Sequence, residues 1–165
     1  MTLQQILFII FATITLGGAL MVVLRRNVFH AALFMILSFF GVAGLYVLLE
    51  APFLAAVQLI IYIGGIAILI VFAIMLTRDL MNPDIPGVIS QWKWAAPVAI
   101  LLCAMLVWMA MSLDREAPVG PVPQNTISIL GRTLVDAQGL ALPFEVASVL
   151  LLVALIGAVT VARER

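Results

Sequence analysis

Charged residues are scarce in this 165-residue chain, where they make up 10% of the sequence. The average soluble domain is about 25% charged. Eight basic and eight acidic side chains cancel, so no basic surface for nucleic acid is expected. A chain that is 65% hydrophobic and has so few charged residues cannot cover its surface with polar groups in water. The composition therefore predicts an integral membrane protein in contact with the lipid bilayer.

Cysteine and histidine are nearly absent, with Cys103 and His30 as the single examples. One cysteine excludes an internal disulfide and a multi-cysteine iron–sulfur site, and one histidine excludes a multi-histidine metal site. The sequence also has no GxGxxG, Walker, CxxC or HExxH motif. We therefore expect no catalytic, cofactor-binding or metal-binding residue in this chain. Proton chemistry, ion passage, ligand contact and a structural role remain open.

Five uncharged runs lie between the charged residues. Each is long enough to cross a bilayer as a helix, which takes about 20 apolar residues. A closed β-barrel would instead alternate polar and apolar positions. The sequence predicts an all-α integral membrane protein with one membrane domain, an outer loop over 114–142, and five transmembrane helices at about 3–24, 28–49, 53–77, 94–113 and 144–162.

The basic residues of the short loops predict the orientation, because cytoplasmic loops are enriched in lysine and arginine. The connections on one side of the membrane carry six of the basic residues, and those on the other side carry two. This asymmetry places the N-terminus outside and the C-terminus in the cytoplasm. The predicted cytoplasmic side holds Arg25, Arg26, Arg78, Lys93, Arg163 and Arg165, and the outer side holds Arg115 and Arg132.

The predicted third helix contains two adjacent glycines, Gly64 and Gly65. Glycine weakens a helix by roughly 1 kcal/mol relative to alanine, and it also lets another helix approach closely. In an α-helix, Gln58 and Tyr62 lie on one face, where both side chains can hydrogen-bond water. Two interpretations stay open: close packing at the glycines, or a local bulge that admits water.

Glycines in the first two predicted helices follow the same packing logic. The pair Gly17 and Gly18, and the spaced pair Gly41 and Gly44, predict close contacts between helices.

Two carboxylates lie at predicted helix ends. Glu50 follows the second helix and is either an interfacial side chain or an entry group for a proton path. Glu145 opens the fifth helix, where a carboxylate in the first turn stabilises the helix dipole. The alternative for Glu145 is a buried proton donor.

Two stretches of the sequence resemble a known family. They are RNVFHAA followed by LYVLLEAPFLAAVQLIIYIGGIAILIVFAIMLT, and ILGRTLVDAQGLALPFEVASVLLLVALIGAVTVARE. Both resemble subunit J of bacterial NADH–quinone oxidoreductase, respiratory complex I, whose mitochondrial counterpart is chain 6. The central segment FLAAVQ…IYIGGI…VFAIML is the most specific part of the match.

The resemblance implies a core membrane subunit of the bacterial inner membrane, next to the quinone-binding end of the membrane arm. It implies a π-bulge near Tyr62, Gly64 and Gly65 that comes and goes between functional states. In the regular state a water path would connect the quinone cavity to antiporter-like subunits. NADH, FMN, iron–sulfur clusters and quinone would be bound by other subunits. The expected partners are subunits A, H and K and the antiporter-like subunits.

Two other functions remain as alternatives. A stand-alone cation–proton antiporter or channel needs an ionisable group near the membrane centre, whereas every charge here lies near a predicted helix end. A purely structural assembly subunit would instead leave proton pumping unchanged when its third helix is altered.

Overall fold

A computed structural model describes residues 2–77, 92–112 and 125–163 of the chain. Every regular element in these ranges is helical. One π-helix, Gln58–Ala67, joins two of the α-helices end to end. The α-helices are α1 (Leu3–Leu24), α2 (Val28–Leu48), α3 (Pro52–Val57), α4 (Ile68–Leu76), α5 (Trp92–Ser112), α6 (Thr126–Val135) and α7 (Ala141–Ala162).

Five helices in the described ranges are long and apolar enough to cross a membrane. The third of them, Pro52–Leu76, runs through α3, the π-helix and α4, and is called the third span below. The prediction of an all-helical chain with five candidate spans is confirmed for these residues. The orientation of the termini stays a prediction.

The first two spans are joined by a three-residue turn that ends in a helix cap. The Asn27 side chain accepts hydrogen bonds from the backbone N–H groups of Phe29 at 3.0 Å and His30 at 3.2 Å. Asparagine is among the residues that best cap a helix in this way. The short turn makes α1 and α2 antiparallel neighbours, and α2 also packs against the third span.

Small residues let α1 and α2 approach closely. Ser38 Oγ on α2 donates a hydrogen bond to the Thr15 carbonyl oxygen on α1 at 2.9 Å. A Cβ added at Gly18 would lie 3.0 Å from the Ser38 nitrogen, and one at Gly41 would lie 2.8 Å from the Thr15 nitrogen. A Cβ at Gly44 would meet the ring of Phe11. The prediction of close contacts is therefore confirmed at these three glycines.

No such contact forms at Gly17 within the described part of the chain, where nothing lies within 4 Å of the position a Cβ would take. Adjacent helical residues point about 100° apart, so only one of two neighbouring glycines can face a single partner helix.

A left-handed residue ends α2. Glu50 has a φ of 57°, and its N–H donates to the Val47 carbonyl at 3.1 Å. The next N–H, of Ala51, donates to the Tyr46 carbonyl at 3.0 Å. These two bonds form a Schellman motif, in which glycine is the usual left-handed residue. Pro52 then begins the third span, where its fixed φ suits a first helical position.

The chain divides into two compact units, Met1–Pro118 and Val119–Arg165. In the second unit, α6 lies in the middle of the predicted outer loop, and a turn links it to α7. The Leu140 N–H donates to the Thr133 carbonyl at 2.8 Å, which fixes this turn. Helix α7 begins at Ala141 rather than at residue 144. This earlier start is compatible with Pro143, because proline is tolerated in the first turn of a helix.

Candidate functional site

The π-helical segment Gln58–Ala67 interrupts the third span between two regular α-helices. π-Helical backbone, with hydrogen bonds from residue i to i+5, is rare and is frequently found at functional sites. The segment contains all four residues singled out in this span: Gln58, Tyr62, Gly64 and Gly65. It also coincides with the π-bulge that the family resemblance implies.

Little packs against the two glycines of the segment. A Cβ at Gly64 would lie 3.4 Å from the Leu59 carbonyl oxygen, which belongs to the residue five positions earlier. Nothing lies within 4 Å of a Cβ placed at Gly65. Within the described part of the chain, no second helix therefore closes on this glycine pair. Of the two interpretations left open by the sequence, the local geometry favours the bulge.

Gln58 lies at the start of the π-helical segment and is buried, with 5% of its surface exposed. Its side chain forms no hydrogen bond with the other described residues. No fully enclosed side-chain nitrogen or oxygen lacks a partner in these ranges, so the Gln58 amide still touches accessible space. A buried amide without a partner is costly unless water or another subunit hydrogen-bonds it. Gln58 can therefore hold a water molecule beside the bulge.

Tyr62 connects the π-helical segment to α2. Its ring contacts the ring of Phe39 edge to face, with centroids 5.7 Å apart and an interplanar angle of 79°. The Tyr62 side chain remains 43% exposed, and its hydroxyl forms no hydrogen bond with the other described residues. The shared face predicted for Gln58 and Tyr62 assumed α-helical spacing, which the π-helix replaces. One side chain is buried and the other packs its ring on α2.

The two candidate carboxylates lie outside the π-helical segment. Glu50 is exposed in its left-handed position before the third span. Glu145 is exposed in α7, whose first turn contains no acidic residue. The prediction that Glu145 lies in the first turn is therefore wrong, because α7 starts at Ala141. Among the described residues, no three histidine, cysteine, aspartate or glutamate side chains come together to hold a metal ion.

Phe39 was missed by sequence reasoning. It is one of nine phenylalanines in the chain and lies in a uniformly apolar helix. Its role depends on how α2 is turned toward the third span, and no local pattern records that rotation. Only the packing of the two helices identifies it.

Comparison with known proteins decides the family. The family model for NADH-ubiquinone/plastoquinone oxidoreductase chain 6 matches residues 18–161. The chain belongs to this family. The resemblance to subunit J and chain 6 is thereby confirmed, and the matched range contains the whole third span.

Similar proteins occur in distant organisms. The chain is 35% identical to NAD(P)H-quinone oxidoreductase chain 6 of Synechocystis, over 98% of this chain and 81% of the relative. It is 40% identical to subunit 6 from the organellar chromatophore of Paulinella chromatophora, over 98% and 78%. It is also 37% identical to F(420)H(2) dehydrogenase subunit J of Methanosarcina mazei, over 98% and 92%.

Proposed function

We propose that this chain 6 family member is a core membrane subunit of a proton-pumping NADH–quinone oxidoreductase, and that its third span acts as a switch. The observation that carries the switch is the π-helical segment Gln58–Ala67 between regular helices α3 and α4. A helix that is π-helical over one short segment can become regular by a local change of hydrogen bonds, without unfolding.

The change would be large at α4. A π-bulge contains one residue more than a regular α-helix would have over the same stretch. When the helix becomes regular, that extra residue is taken into the α-helix, in which each residue turns the chain by about 100°. Helix α4 would therefore rotate by about that angle relative to α3. Exposed side chains of α4, such as Phe72, would face different neighbours in the two states. For both states to be populated, their free energies must differ by only a few kcal/mol.

The polar groups of the segment suit water. Gln58 offers an amide without a partner in the described chain, and Tyr62 offers a hydroxyl. In the regular state, these groups would hold part of a water path between the quinone cavity and the antiporter-like subunits. Glu50 would serve as an entry carboxylate of a proton path, and Glu145 as a proton donor.

This chain would act as a non-redox subunit of the translocase. Its one cysteine and one histidine cannot supply the ligands of an iron–sulfur cluster. Relatives named for NAD(P)H and for F(420)H(2) are similar to this chain over nearly all its length, so another subunit would select the donor. NADH, FMN, the clusters and quinone would all be bound by other subunits.

The exposed apolar surfaces of the spans support an assembled membrane protein. Helices α5 and α7 have no buried residue in their most apolar windows. The bilayer and subunits A, H and K, with the antiporter-like subunits, would cover these surfaces in the bacterial inner membrane. A stand-alone antiporter is disfavoured, because no charged side chain lies in the central turns of a described span.

The switch is tested by Gly65→Ala, with Gly157→Ala on α7 as a matched control. Neither added Cβ would meet an atom within 4 Å in the described part of the chain, so neither variant clashes there. In both variants, alanine stabilises the α-helical conformation by about 1 kcal/mol relative to glycine. We expect Gly65→Ala alone to lower the number of protons taken up per NADH oxidised, measured on the purified complex in sealed vesicles. An unchanged ratio in an assembled Gly65→Ala complex would reject the switch and favour a structural subunit.

A further inference from the structure

A crevice of about 480 Å³ lies at the turn between α1 and α2. Its lining residues are Leu24, Arg25, Arg26, Asn27 and His30. The guanidinium carbon of Arg25 lies 5.3 Å from the centre of the Phe34 ring, a cation–π contact that restrains this side chain. Both arginines and His30 are exposed to solvent.

The charge of the crevice is not balanced within the described part of the chain. Neither Arg25 nor Arg26 forms an ion pair with another described residue. The Asn27 side chain already accepts the N–H groups of Phe29 and His30, so the start of α2 is satisfied. An anion would therefore be bound by the two guanidinium groups and the imidazole. Guanidinium groups hold phosphate oxygens in bidentate geometry.

The position of the crevice indicates which kind of anion can reach it. Helix α1 has 22 residues, or about 33 Å at 1.5 Å per residue, against a hydrocarbon core about 30 Å thick. The turn at its end therefore lies at the level of the lipid headgroups. Val23 and Leu24 beside the crevice are 82% and 62% exposed, which gives acyl chains an apolar wall next to the cationic groups.

The opposite end of the same helix pair provides a contrast. The groove there is larger, about 690 Å³, and none of the described residues that line it is charged. Its polar lining comes from Thr2, Gln4 and Gln5. Among the described residues, the basic side chains of the α1–α2 pair thus lie at one end of it, whereas the opposite end carries the acidic Glu50. Basic crevices between spans at one membrane face are the kind of site that binds anionic lipids.

We propose that the Arg25–Arg26–His30 crevice binds the phosphodiester headgroup of an anionic phospholipid. The arginines hold the phosphate oxygens, His30 donates a hydrogen bond, and the acyl chains lie along the exposed end of α1. This site is independent of the switch in the third span. It would fix a lipid at the edge of the subunit, or between it and a neighbouring subunit.

The test uses the purified complex in phosphatidylcholine vesicles that contain a small fraction of photoactivatable phosphatidylglycerol. After illumination, the labelled peptides of the chain are found by mass spectrometry. We expect label at the peptide that carries Arg25 and Arg26, saturating as the phosphatidylglycerol fraction rises. The double variant Arg25→Gln/Arg26→Gln should require about thirtyfold more lipid for the same labelling, since each basic residue near the surface contributes to binding.

Arg163→Gln provides the matched control, because Arg163 is an exposed cation at the end of α7. This variant should leave labelling at the crevice unchanged. Labelling that never saturates in the wild-type complex would overturn the proposal without any variant. Full labelling of the double variant would also overturn the proposal. A neighbouring subunit that closes the crevice to lipid in the complex would overturn it as well. Displacement of the lipid by excess inorganic phosphate would show a general anion site instead.

Discussion

The Tyr62 ring stands edge-on to the Phe39 ring, with centroids 5.7 Å apart, and this contact joins the π-helical segment to α2. Such aromatic pairs contribute about 0.5–1.5 kcal/mol beyond the area they bury. That is comparable with the few kcal/mol allowed between two states of a switch. If α4 rotates when the segment becomes regular, the contact is formed in one state and altered in the other. Phe39 would then bias the switch through this ring contact.

We expect Phe39→Ala to shift the third span away from the π-helical state. Loss of about 1 kcal/mol changes the ratio of the two states about fivefold. Spin labels at Leu54→Cys on α3 and Phe72→Cys on α4 report the rotation as a change in distance distribution. Both positions are exposed, and Cys103→Ser removes the native thiol.

Phe40→Ala is the control for this experiment. Phe40 is 50% exposed on the same helix, and its ring contacts no other described aromatic ring. It should leave the distance distribution unchanged. Identical distributions in Phe39→Ala and wild type would show that the ring contact does not bias the switch.

The spans were predictable because charge and apolar length are local properties of the sequence. The first span agrees with its predicted bounds, residues 3–24. The start of α7 was less predictable, because a proline such as Pro143 can precede a helix or lie in its first turn. Sequence periodicity does not show whether such a proline precedes the helix or lies in its first turn. The structure places the start at Ala141.

The candidate site was predictable in part. The weak glycine pair and the polar residues Gln58 and Tyr62 marked the segment, and the family resemblance implied a bulge there. The extent of the π-helix, from Gln58 to Ala67, was not predictable from helix propensities. Left-handed Glu50 was also missed, because glutamate is not a residue that signals this conformation.

Gly41→Ala should separate α1 from α2. The added methyl group would lie 2.8 Å from the Thr15 backbone nitrogen, which cannot move aside as a side chain does. The Ser38–Thr15 hydrogen bond spans the same interface and would lengthen. Overpacking of this kind typically costs about 1–3 kcal/mol.

Gly17→Ala is the matched control, because an added Cβ there meets nothing within 4 Å. We expect less assembled complex with Gly41→Ala on native gels and a normal amount with Gly17→Ala. Equal assembly of both variants would show that the α1–α2 contact is not limiting.

Glu50→Gly separates backbone strain from the function of the carboxylate. A left-handed residue with a side chain costs about 1–2 kcal/mol, and glycine avoids this at an entropic cost of roughly 0.5–1 kcal/mol. The net effect should be a stabilisation of about 0–1.5 kcal/mol. Glu50→Gln keeps the side chain and should not be stabilised. The temperature at which the chain leaves the purified complex measures both effects.

We also expect Glu50→Gln to assemble and to lose at most part of its quinone reduction. The side chain is exposed at a span end, where water solvates the charge. The same outcome is expected for Glu145→Gln. Complete loss of activity in either assembled variant would indicate an essential proton-carrying carboxylate.

Tyr62→Phe removes a hydroxyl while keeping the ring that packs on Phe39. Because the packing survives, we expect the variant to assemble and to keep the wild-type distribution of states in the third span. If the hydroxyl holds water in the proton path, proton uptake per NADH oxidised should fall while the rate of NADH oxidation changes less. Tyr46→Phe is the control, since Tyr46 is the other tyrosine of the chain and lies on α2, outside the π-helical segment. Both variants are measured in the same sealed vesicles, with a pH-sensitive dye and NADH absorbance recorded together. A wild-type proton ratio in Tyr62→Phe would remove the hydroxyl from the water path and leave Tyr62 with its ring contact alone.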